Sequence, residues 1–209
     1  MPLSGQPELA LIRPGRVHEA GGPARRAFAA ALAGRLAGPV LWIAERRERE
    51  MLCPQGLAPF LDPARLILAR PSGARALLQA AEEALRSGAV CLVVAELAEA
   101  PDLTQSRRLQ LAAGAGGGRG LCLVPEAGLR PNAAETRWHC VPVAGGPARQ
   151  RWELVKNKRG RVGAWEVAWR EARGEAWEAG TALPVPALSL AAHPLRRAAR
   201  AARAPGIDG

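Results

Sequence analysis

The chain has 209 residues, 48% of them hydrophobic, enough for one domain with a genuine core. A formal net charge of +10 favours a polyanion or an acidic protein as partner, through long-range attraction and counterion release. Its longest apolar stretches, "LCLVP" and "AVCLVVAEL", fall far short of the roughly 20 residues that cross a bilayer, and nothing resembles a signal segment, so a cytoplasmic protein without membrane contact is expected. Only Lys156 and Lys158 are lysines among the 29 basic residues, and alanine, glycine and proline are plentiful, as GC-rich codon usage also produces. The charge therefore reads either as general solvated surface or as a defined face for nucleic acid or a partner. Cys53, Cys91, Cys122 and Cys140 show no CxxC spacing, which points to reduced core or loop cysteines and no metal site.

Residues 1–14 contain two prolines and no sustained period, and read as a lead-in segment. A short strand is expected at 17–20, followed by a helix over 24–36 with Phe28, Leu32 and Leu36 four apart on one face. Gly38-Pro39 ends it. "VLWIAE" at 40–45 is an unbroken apolar run, the mark of a strand buried on both faces of a parallel sheet, and "RLILAR" at 65–70 repeats that pattern. Between them "ERREREM" is a mixed charge run, read as a solvated turn. Ser72 is expected to cap a helix with Ala74, Leu77, Leu78, Ala81 and Leu85 at helical spacing, stopped by Gly88. "AVCLVVAE" is the next buried strand, Thr104 opens a helix "TQSRRLQLAAGA", and "GLCLVP" closes the alternation. Strands alternating with helices over 17–125 indicate a parallel sheet covered on both sides.

After Pro125 the rhythm changes. "TRWHCVPV", "QRWELVKNK" and "AWEVAWRE" alternate with period two and are separated by turns, so antiparallel strands extending the sheet are expected. The pattern fades beyond Gly174, which places the core domain at 15–173 and a basic, Pro-containing tail, partly disordered or partner-binding, at 174–209.

The strand-turn-helix unit "GRVHEAGGPARRAFAA" has the outline of a phosphate loop without its chemistry. That loop requires G-x-x-x-x-G-K-[ST], because backbone N–H groups surround the phosphates, a lysine meets the outer ones and a hydroxyl holds magnesium. Started at Gly21, the frame places Arg26, Ala27 and Phe28 at the last three positions; started at Gly22, it places Ala27, Phe28 and Ala29 there. Both frames fail, and Gly21, Gly22, Pro23, Arg25, Arg26 and Phe28 are read as a degenerate loop with Phe28 packing inward. The magnesium-holding Asp at the end of "CLVVAE" is replaced by Ala95, with Glu96 one position later. Arg25 and Arg26 read as a solvated helix start, with weak attraction of an anion as the alternative. His18, His139 and His193 are scattered without an adjacent nucleophile. No cofactor and no enzymatic activity are expected.

The order of these segments resembles the RecA family core over roughly 15–170. "GRVHEAGGP" is similar to the strand leading into that family's ATP loop, "LWIAE" to the strand ending in its catalytic Glu, matched by Glu45, and "RWELVKNKRG" to a strand near the end of the core. Within that superfamily the chain resembles the ImuA family more closely, through "VHEA", "GPVLWIAE", "GLAPFLDPARLILAR", "AEEALRSGAV", "SRRLQLAA", "ETRWHCVPV" and "WELVKNKRGRVGAWEVAW". The resemblance implies a RecA-like α/β fold and a role in SOS-induced, error-prone translesion synthesis. Its implied partners are ImuB, an inactive polymerase homologue, and RecA, with an error-prone C-family polymerase indirectly. The chain departs from RecA in lacking the N-terminal oligomerisation helix and in its short 126–135 loop, so filament formation is not expected.

Two surface features remain open on the sequence. Arg196, Arg197, Arg200 and Arg203 recur at three- and four-residue spacing, either one face of a short partner-binding helix or a disordered basic tail. Lys156, Lys158, Arg159 and Arg161, near Trp152 and Trp165, could hold single-stranded nucleic acid by charge and stacking; the same tryptophans also fit sheet-face packing. A SulA-like inhibitor of cell division and a DNA-binding RecA paralogue are the alternative readings.

Overall fold

The computed structural model describes residues 11–47, 52–127, 130–144, 149–168 and 189–192. The parallel half of the sheet contains β1 (Arg16–Gly21), β2 (Val40–Ala44), β3 (Leu66–Ala69), β4 (Leu92–Glu96) and β5 (Arg119–Val124). These are interleaved with helices α1 (Arg25–Gly34), α2 (Pro54–Leu57), α3 (Ala74–Ser87) and α4 (Leu103–Gly116). Strands β6 (Thr136–Pro142), β7 (Arg149–Asn157), β8 (Gly163–Ala168) and β9 (Ser189–Ala192) follow without helices between them. Strand order is β3-β2-β4-β5-β1-β6-β7-β8-β9. The expected α/β architecture, a mostly parallel sheet with helices on both faces, extended by C-terminal antiparallel strands, is what the chain adopts.

Two apolar clusters lie on opposite faces of the sheet. On one face α1 buries Phe28, Ala29 and Leu32 against Trp42, Leu92, Val94, Leu121, Leu123 and Trp138. On the other, α3 and α4 bury Leu77, Leu85, Leu109 and Ala113 against Ile43, Val93, Cys122 and Val124. Strand alternation sends odd and even residues of β4 and β5 to the two clusters, which is why those segments read as continuous apolar runs. Helix α3 presents Leu77, Ala81 and Leu85 inward at four-residue spacing and ends at Gly88 in the left-handed conformation, φ 65°, as the sequence predicts.

Several details differ from expectation, each for a local reason. Helix α3 is preceded by Gly73, not Ser72, with no side-chain cap. Helix α4 begins at Leu103 because Asp102 and Gln105 form a reciprocal capping box, an earlier start signal than Thr104. Strand β6 is antiparallel to β7, as expected, yet pairs parallel to β1 on its other side, so the change of direction falls one strand later than the change in sequence rhythm. "RLILAR" is not buried on both faces: β3 is the edge of the sheet, and Ile67 and Leu68 are each 50% exposed. An apolar run fixes strand propensity but not position in the strand order. Within the span read as a tail, β9 pairs with β8.

Candidate functional site

The turn after β1 occupies the place of a phosphate loop, and its hydrogen-bonding groups are directed into the protein. The Gly22 amide donates to the Pro125 carbonyl at 2.9 Å, the Ala24 amide to the Cys140 carbonyl at 3.0 Å, and the Arg25 amide to the Gly22 carbonyl at 3.2 Å. Pro23 has no N–H to offer. The amides of Gly22, Ala24 and Arg25 are thus engaged by acceptors just after β5, within β6 and in the turn itself. The glycines follow from that close approach. Gly22 has φ of 93°, and a Cβ there would collide with the Cys140 carbonyl, while one on Gly21 would meet the backbone of Ala127.

Beneath the turn, Phe28 is 1% exposed. Its ring lies 5.2 Å from that of Trp138 and 4.8 Å, edge-on, from that of Trp152. The side chain at the hydroxyl position of the Gly21 frame is therefore the first anchor of α1 on the sheet, as the sequence reading expected. Arg25 turns back to the Gly22 carbonyl at 3.1 Å.

The end of β4 completes the closure. Ala95 is 2% exposed and packs in the cluster beneath α3 and α4, away from the turn. Alternation puts Glu96 on the opposite face, where it meets Arg26 and Trp42. Its carboxylate accepts from Arg26 Nε at 2.9 Å and from Trp42 Nε1 at 2.6 Å, and an Arg26 guanidinium nitrogen lies 2.7 Å away. Arg26 is neither a solvated helix start nor an anion site; it clamps α1 to β4. Sequence reasoning missed this pair, although the period-two alternation of Val94 and Glu96 against Ala95 carried the signal.

A second buried polar group sits midway along β1. Glu19, 1% exposed, accepts from Arg137 Nε at 2.6 Å and from the Asn132 amide. Arg137 also reaches the Arg130 carbonyl at 3.0 Å, so the pair ties the segment before β6 to the sheet. His18, fully buried, accepts from the Arg13 amide at 3.1 Å through Nε2, and its Nδ1 lies 2.7 Å from Thr136 Oγ1. Burial pushes its pKa down to about 4, with the charges of Arg119, Arg13 and Arg16 acting in the same direction, so the ring is neutral at pH 7. Burial also pushes the Cys122 thiol up to about 12 and raises that of Cys140, which keeps both protonated and poor nucleophiles.

The basic run of β7 is largely committed to its own fold. Lys156 Nζ donates to the Asn132 carbonyl at 2.9 Å and Lys158 Nζ to the Ala133 carbonyl at 2.7 Å. Arg159 lies 3.0 Å from the Glu135 carboxylate, and Arg161 is exposed. Desolvation, reinforced by Arg137 and Lys158, lowers the Lys156 pKa. Trp152 is 1% exposed, and Trp165 packs 5.6 Å from Trp138, so the face-packing alternative holds for both. Arg196, Arg197, Arg200 and Arg203 lie outside the described residues. Among the described residues no cluster of metal-ligating side chains occurs, and no helix is long and apolar enough to cross a membrane.

No family model matches the chain. Protein ImuA of Caulobacter vibrioides strain NA1000 / CB15N is 36% identical over 160 residues, covering 68% of this chain and 64% of that protein. The chain belongs to the ImuA family. Protein ImuA of a second Caulobacter vibrioides strain, ATCC 19089 / CIP 103742 / CB 15, matches with the same figures. This ImuA-family chain thus spans a little under two thirds of the length of the curated relatives it matches. Among solved structures, SulA from Pseudomonas aeruginosa is similar at 20% identity with a TM-score of 0.45, over 53% of this chain and 98% of that one.

Proposed function

We propose that this ImuA-family chain is a non-catalytic accessory protein of SOS-induced, error-prone translesion DNA synthesis. In this reading it acts through contacts with an ImuB-like inactive polymerase homologue, with RecA, or with both, and reaches the error-prone C-family polymerase indirectly. Family membership supports the pathway. The turn after β1 supports the non-catalytic part: its amides at Gly22 and Ala24 are bound by carbonyls and Arg26 is paired with Glu96, which takes those groups from a nucleotide. A fold keeps its outer surface when one loop changes, so protein contacts can outlast lost chemistry.

Direct nucleic-acid binding through the β7 run is the weaker reading. Its cations reach for carbonyls of their own chain, and Trp152 offers no exposed ring to stack on. The test has two arms. Isothermal calorimetry with magnesium-ATP is expected to give no binding heat, and tight magnesium-dependent binding would overturn the non-catalytic assignment. Pull-down of the purified chain with the ImuB-like polymerase homologue and with RecA is expected to capture at least one of them; capture of neither defeats the adaptor role.

A further inference from the structure

At the opposite end of β1 from the sealed turn lies an open depression of about 440 Å³, walled by Arg16, Arg107, Leu111, Ala133 and Lys158. Its floor is held by Gln110, whose amide donates to the Val17 carbonyl at 2.7 Å and the Ala133 carbonyl at 3.1 Å while its oxygen accepts from the Val17 amide at 3.2 Å. That web joins α4, β1 and the 132–135 segment, so the walls are set before any partner arrives. Glu135 is the one carboxylate lining the depression; it is 5% exposed and flanked by Arg16 at 3.9 Å and Arg159 at 3.0 Å. Its single charge is met mainly by Arg159, so the rim of Arg16, Arg107 and Lys158 stays net positive, with Lys158 keeping its charge while it donates to the Ala133 carbonyl.

Leu111 stands among these cations, 75% exposed, one helical turn beyond Arg107 on α4. A lone exposed leucine is ordinary on a protein surface. A leucine in a preformed depression rimmed by cations is the arrangement that anchors an apolar side chain and attracts carboxylates around it. Phosphate backbone makes poorer use of it: Leu111 gives a phosphate nothing, and no aromatic ring lines the depression for a base.

We propose that this depression is a docking site for an acidic protein segment carrying an apolar anchor residue. The anchor seats on Leu111 and Ala133, and flanking Asp or Glu side chains pair with Arg16, Arg107 and Lys158. The proposal deepens the adaptor reading by naming a surface and rests on it only in requiring a protein partner.

The test is fluorescence anisotropy of the full chain with three labelled probes: a glutamate-rich peptide with a central leucine, the same peptide with serine there, and a single-stranded oligonucleotide of equal charge. The leucine peptide is expected to bind best. Leu111→Ser, Arg107→Glu and the serine peptide each weaken it about tenfold, the factor that 1.4 kcal/mol represents. Both positions are exposed, and unchanged melting curves will show that the variants fold. Failure of the leucine peptide to bind, or equal affinity for the Arg107→Glu/Leu111→Ser variant, overturns the site. An oligonucleotide that binds more tightly and responds to Arg107→Glu but not to Leu111→Ser assigns the face to nucleic acid instead. Full capture of the polymerase homologue by the double variant removes this surface and leaves the adaptor role standing. Peptide binding without capture of any partner does the reverse.

Discussion

The two ends of β1, about 17 Å apart at strand rise, have opposite characters. At its C-terminal end, where α/β folds of this kind hold their ligands, the Gly22, Ala24 and Arg25 amides are bound, Gly21 and Gly22 are pressed against the backbones of Ala127 and Cys140, and Arg26, Glu96 and Trp42 join their polar groups to one another. At its N-terminal end, cations from β1, α4 and the β7–β8 turn stand around an exposed leucine. The first region spends its polar groups on internal packing. The second presents a net positive rim around one exposed apolar side chain. Substitutions at the two ends should therefore divide cleanly: those at the sealed end cost stability, and those at the open end cost binding alone.

The sharpest challenge to that division is to rebuild the phosphate loop. Arg26→Gly, Ala27→Lys and Phe28→Ser together restore G-x-x-x-x-G-K-S from Gly21. ATP binding by calorimetry is still expected to be absent, because the Gly22 and Ala24 amides remain bonded to Pro125 and Cys140. Losing the Phe28 ring from between Trp138 and Trp152 alone costs about 3–5 kcal/mol, read from urea unfolding. Recovered ATP binding with stability intact would erase the contrast between the two ends.

His18 gives a pH test of the buried strand between them. Its folded pKa, about 4, lies below the ordinary 6.5, so the unfolded chain takes up a proton that the folded chain refuses. Stability is then full above pH 6.5 and falls as pH drops toward 4, by about 3 kcal/mol at 1.36 kcal/mol per unit. His18→Gln should flatten the part of the decline that belongs to this ring, seen as the difference between urea midpoints of the two proteins at pH 7 and pH 4.5. Parallel declines would mean that the ring is charged in the fold.

Smaller effects complete the series. Glu96→Ala removes the acceptor of a buried Trp42 N–H and the partner of Arg26, and is expected to cost about 2 kcal/mol in a thermal melt. Leu111→Ser should change stability by no more than about 0.5 kcal/mol, since the side chain is 75% exposed. A larger loss there would show that the open end also serves the core.

Much of this architecture is legible in the residues. Apolar runs at β2, β4 and β5, helical spacing in α1 and α3, and period two after Pro125 identify elements because burial imposes a period on each kind of backbone. The failure of the phosphate-loop frame and the inward turn of Phe28 are legible for the same reason: a motif needs particular side chains at fixed offsets, and their absence is local. Strand order is not local, so β3 looked like its buried neighbours until its place at the edge exposed Ile67 and Leu68. Nor could spacing show that Lys156 and Lys158 spend donors on the 132–133 carbonyls, or that Glu135 hides a charge beside Arg16 and Arg159.

By itself, then, the sequence determined the element types, the α/β class, the family and the absence of a phosphate loop's lysine and hydroxyl from the turn after β1. Tertiary structure decided which charges are consumed and which remain available, because ion pairing and burial depend on residues far apart in the chain. Arg26 and Glu96 are separated by 70 positions and meet in one clamp, whereas Arg107 and Leu111, four residues apart on α4, gain their setting only when β1 and the β7–β8 turn close around them.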